Sequence, residues 1–134
     1  MPNSIATGVA YADAYFQEIG YLTSAQGTVT QATSKSTGVT LNASAGRITM
    51  NAAALAGGAA VYFTLTNNLI SANDTIIVNV SGKYTSGPAL TDPTAYTAYV
   101  ATMTTGSAVI VLRNLSGTSY SEDVIINYAI IHGA

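Results

Sequence analysis

The fold class predicted for this chain is all-β, an antiparallel β-sandwich with the jelly roll as the natural eight-strand solution, and three observations carry it. Short runs rich in β-branched residues recur from residue 28 to residue 132. They are separated by Gly, Asn and Ser, the residues that favour turns. Beyond the first 26 residues no long stretch holds an apolar repeat at helical spacing, so strands paired around a shared core are the expected packing.

The first 26 residues stand apart because Tyr11, Tyr15, Phe16 and Tyr21 cluster there without a sustained strand pattern. Tyr11 and Tyr15 would share one face of a helical turn and equally one side of an extended segment, so the pattern leaves both forms open. In either form the segment offers aromatic area with few charges. We therefore expect residues 1–26 to be an arm that docks on another surface through those four side chains, the alternative being a cover for the domain's own core.

The domain follows at 27–134, with strands expected at 28–33, 38–42, 47–50, 59–66, 74–80, 94–102, 107–114 and 123–132. Residues 51–56, NAAALA, fit one helical turn before Gly57 and Gly58 break it. Connections are expected at 67–73 and at 81–93, the second holding two of the three prolines and forming the longest loop. In 59–66, Ala59, Val61, Phe63 and Leu65 alternate with Ala60, Tyr62, Thr64 and Thr66, which marks a half-buried strand. The runs at 107–114 and 123–132 are apolar on both faces. That second face assigns Val109, Val111, Ile125, Ile126, Tyr128, Ile130 and Ile131 to a subunit interface, or else to a central position under other elements.

Composition supports assembly. Of 134 residues 49% are hydrophobic and 7% charged, against about 25% charged in average soluble domains. Mean hydropathy is +0.34, so other copies or a larger body are expected to cover apolar surface. A net charge of −2 supplies no field for phosphate backbones, which argues against nucleic-acid partners. Any salt-sensitive contact would have to use Lys35, Arg47, Lys83 or Arg113. No apolar run reaches the ~18 residues of a membrane span, and residues 1–20 do not read as a signal peptide, so no membrane partner and synthesis in the cytoplasm are expected. Without cysteine there is no disulfide, thiolate nucleophile or zinc ribbon.

Chemistry-bearing groups are sparse. The single histidine, His132, has no partner nearby in sequence, and a Ser-His-Asp set built with Asp74 or Asp123 lacks a nucleophile elbow. Asp13, Glu18, Asp74, Asp92, Glu122 and Asp123 are scattered except for the last pair, which fits a solvated turn. Neither Asp92 nor that turn lies in a spaced cation-binding loop, and Gly57–Gly58 precede a strand, not a phosphate-binding helix. Catalytic residues, metal and cofactors are therefore all expected to be none. The sequons at Asn42, Asn73 and Asn114 are what an Asn-, Ser- and Thr-rich chain produces by chance. Tyr84, Tyr96 and Tyr99 have the flat rings of a sugar-stacking platform, but Tyr96 and Tyr99 point to opposite faces of one strand and are read as core or interface residues.

The opening TVTQATSKSTGVTLN, the phrase FTLTNNLISANDTIIVN and the closing RNLSGTSYSEDVIINYAIIHG, within residues 27–133, resemble a type of C-terminal domain in structural proteins of tailed bacteriophages. The start, MPNSIATGVAYADAYF, is similar to short virion proteins of the head-decoration type. The resemblance implies a non-enzymatic virion protein on the capsid surface: a homotrimeric β knob, partnered by the major capsid protein, that cements neighbouring capsid subunits. The alternative is a head-fibre or tail-fibre tip that adheres to a host-surface glycan. Only 26 residues precede the domain, too few for a projecting shaft, and this favours decoration.

Overall fold

The computed structural model describes residues 20–82 and 90–133. A 3-10 turn at Thr23–Ala25 leads into eight strands: β1 (Gln26–Thr30), β2 (Val39–Thr40), β3 (Ala45–Thr49), β4 (Ala60–Thr66), β5 (Thr75–Ser81), β6 (Tyr96–Thr104), β7 (Ser107–Asn114) and β8 (Ile125–Ile131). They form two four-stranded sheets, sheet A in the order β1-β3-β8-β5 and sheet B in the order β2-β4-β7-β6. The all-β sandwich expected from sequence is the fold, and every expected strand has its counterpart within a few residues. The NAAALA segment is not helical. Its Leu55 makes a lone bridge to Tyr120.

Pairing differs from expectation in two places. β1 pairs β3 in parallel and β2 pairs β4 in parallel, whereas the remaining pairs are antiparallel. The cause is connectivity: from β1 to β4 the chain alternates between sheets, so each strand returns to its first sheet running in the original direction. Side-chain alternation carries no trace of such a crossover. The sandwich is therefore mixed, and its strand order does not confirm a jelly roll.

The core lies between the sheets. Ile48, Phe63, Leu65, Ile110, Leu112 and Ile126 are all at most 1% exposed. Burial of each such side chain stabilises the fold by about 1.5–3 kcal/mol. The β6–β7 hairpin closes through Thr105 and Gly106, whose φ of 85° suits glycine.

The register gives the sandwich two distinct ends. Gln26, Ala45 and Ala129 align at one, beside the 67–74 connection and the C-terminal residues. Thr30, Thr49, Ile125 and Ser81 align at the other, where the connection from β5 to β6 leaves and returns. The chain enters the domain at the first end.

Candidate functional site

Of the four expected docking aromatics, Tyr11, Tyr15 and Phe16 lie outside the described residues. Tyr21 is within them. Its hydroxyl donates to the Ile130 carbonyl, and the Gln26 side-chain amide donates to its own carbonyl at 2.8 Å. The root of the arm is thereby fastened to the end of β8, next to Leu22, which is 78% exposed.

The expected interface residues separate into three groups. Ile126, Tyr128 and Ile130 point between the sheets at 0–4% exposure, so they belong to the chain's own core and not to a subunit interface. Tyr128 is further committed by its hydroxyl, which donates to the Ala43 carbonyl at 2.9 Å and accepts from the Asn67 side chain at 3.4 Å; burial pushes its pKa up to about 12. Val111 and Ile125 lie on the outer faces yet are buried by their neighbours, and Val109 is half-buried. Only Ile131 offers open area, beside exposed Ile77 on the neighbouring strand.

Three charged groups, Lys35, Glu122 and Asp74, are built into the framework. Lys35 is buried, and its ammonium donates to the carbonyls of Asn51 and Glu122, closing the far end of the sandwich. Burial lowers its pKa, against the opposing pull of Asp123 and Glu122. Glu122 accepts from the Thr91 backbone at 2.7 Å and from the Tyr96 hydroxyl at 3.0 Å. Burial alone would raise the pKa of this carboxyl, but those bonds and the Lys35 charge outweigh it and hold the pKa below the usual value. Tyr96 is raised by burial and by its bond to that carboxylate.

At the arm end, the fold supplies the partner that His132 lacks in local sequence. Its Nδ1 lies 3.2 Å from Asp74 Oδ2, while Ser71 Oγ donates to Asp74 Oδ1 at 2.8 Å. This arrangement is not a proton relay, because the carboxylate sits between serine and imidazole, whereas a relay needs the imidazole in the middle. Asp74 is instead a clamp. The backbone N–H and hydroxyl of Ser71, the N–H of Gly133 and His132 hold its pKa down to about 2. Among the described residues no three metal-ligating side chains converge, and no buried side-chain nitrogen or oxygen lacks a partner. The sequon residue Asn114 is fully buried, with its amide donating to the carbonyls of Leu55 and Thr118.

The outer face of sheet B carries a feature that sequence reading missed. Register aligns Tyr62 of β4, Val111 of β7 and Tyr99 of β6 in one row across three strands. The tyrosines are 70% and 51% exposed and the valine between them 8%. Tyr62 already stood on the outward side of its strand's alternation, and Tyr99 opposes the buried Tyr96, but only the pairing brings the two rings together. Beside Tyr62 lies a groove of about 320 Å³ lined by Ser36, Gly38, Ala60, Tyr62 and Thr64 among others. It exists because β2 pairs only with Leu65 and Thr66, which leaves the preceding part of the β4 edge without a strand partner. A second groove, of about 590 Å³, crosses β1 and β3 of sheet A, with Gln26, Thr28, Arg47 and Asn127 around Gly27 and Gly46.

No helix among the described residues is long and apolar enough to cross a membrane. In comparison with known proteins, no family model, no curated protein and no solved structure matches this chain.

Proposed function

We propose that this chain is a non-enzymatic virion structural protein, a capsid decoration protein that docks on the phage head through residues 1–26 and cements major-capsid subunits. One observation carries the reading: the buried ionic groups, Lys35 and Asp74, are tied to backbone at the two ends of the sandwich, while three large apolar side chains, Leu22, Ile77 and Ile131, stand exposed at the end where the arm joins. Such a body is equipped to adhere. Self-association as a homotrimer would use the area around Ile131. Each bound copy stabilises the lattice by RT ln(1 + [L]/Kd), and many copies per head multiply a small gain into a large one.

The tyrosine row favours a second reading, a head-fibre or tail-fibre tip that adheres to a host surface. Heating particles with and without the protein separates the two. Decoration predicts that deficient particles assemble and adsorb normally but burst at a lower temperature. Unchanged heat resistance combined with lost adsorption would overturn decoration in favour of the tip.

A further inference from the structure

We propose that the outer face of sheet B is a binding site for an uncharged, extended pyranose chain, laid along the Tyr62–Val111–Tyr99 row and ending in the groove beside Tyr62. The inference is independent of the decoration reading. Two inter-strand steps place the tyrosines about 10 Å apart, a separation that alternate rings of an extended β-linked glycan can span. The C–H face of a pyranose stacks on an aromatic ring, and the valine between the tyrosines is shorter than either, so the row is lowest at its centre.

Hydroxyls of the sugar need polar partners, and the row is bordered by them. Thr97 and Arg113 lie in the adjacent row on one side and Thr64 on the other, with the β4 edge at 60–64 facing the groove. Charge selects the ligand class. Among the outward residues of β4, β6 and β7, Arg113 is the single charged side chain, so the face lacks the run of cations that a polyanion needs and carries no carboxylate.

Area argues against a second copy as the occupant. Seven residues along three strands cover about 350 Å², less than half of the ~800 Å² per partner in a stable protein interface. A single oligosaccharide fits within it.

The test is titration calorimetry of the full chain with two probes, the β-1,4-linked hexasaccharides of glucose and of N-acetylglucosamine. Saturable binding of at least one, with Kd of about 1 mM or tighter, is expected. Tyr62→Ala and Tyr99→Ala should each weaken it about tenfold, while Tyr62→Phe, which keeps the ring, should stay within about threefold. Thermal melts confirm that the variants are folded, as expected for exposed side chains. No binding of either probe at about 10 mM, or binding unchanged in both alanine variants, would overturn the proposal. So would loss of an oligomer in Tyr62→Ala on sedimentation, which would make the row a self-contact. A negative result leaves the particle-heating outcome untouched, so the two readings fail separately.

Discussion

Replacing Lys35 by Met removes an ammonium while keeping an unbranched stem of similar length, so the loss isolates the polar head. That head donates to two carbonyls, those of Asn51 and Glu122, from a residue only 3% exposed. Each acceptor stripped of its partner costs about 1–3 kcal/mol, and relief from burying a charge returns part of the sum. Stripping one partner from a buried charged contact costs ~3–5 kcal/mol in general, so a net destabilisation of about 2–4 kcal/mol follows, or about 10 °C in Tm for a chain of this size. Urea unfolding of both proteins should show the midpoint falling with an unchanged slope. A pH series adds a sign. The folded pKa of Lys35 lies below the ordinary 10.5, so in the window between them the unfolded chain holds a proton that the folded chain has released. The wild-type advantage over Lys35→Met should therefore grow as pH rises towards 10.5. A difference below about 0.5 kcal/mol would place the ammonium in water and not on the two carbonyls.

Asp74 predicts the acid limb. Its stabilising effect is fully present above pH 3.8 and is lost as pH falls towards about 2, so Asp74→Asn should remove that part of the acid dependence in circular-dichroism titrations. Ile126→Asp, at a residue with no exposure, should cost several kcal/mol and leave the chain unfolded, whereas Ile131→Asp, at 54% exposure, should fold within about 1 kcal/mol of wild type and weaken self-association on light scattering. Gly57→Ala would set a Cβ 2.4 Å from the Gly117 backbone. Something must then move, and a loss of about 1–3 kcal/mol in urea unfolding is expected.

The parts of the fold that were legible are those written in local alternation. Phe63 and Leu65 turned inward and Tyr62 outward, as the pattern of 59–66 requires. The two-faced apolar runs became β7 and β8, the interior strands of their sheets, which is why Val111 and Ile125 are buried even on outer faces. What stayed hidden depends on residues far apart in the chain. A lysine in a Ser- and Thr-rich loop reads as a surface charge, and only closure of the far end brings the carbonyls of residues 51 and 122 onto Lys35. The same holds for Asp74 and His132, 58 residues apart, and for the parallel edge pairs, whose crossover leaves no periodic mark. Local sequence sets Tyr99 only against Tyr96 on its own strand, whereas its neighbour on the surface is Tyr62, two strands away.

The proposed decoration of a phage head by this β-sandwich can be seen or refuted in a cryo-EM map of the parent particle at a resolution that traces β-strands. Copies of the sandwich are expected on the outer surface of the head shell, gathered in threes, with residues 1–26 lying against more than one major-capsid subunit and the sandwich end that carries Lys35 pointing away. Density for the sandwich found only at fibre tips, with a bare head shell, would contradict it.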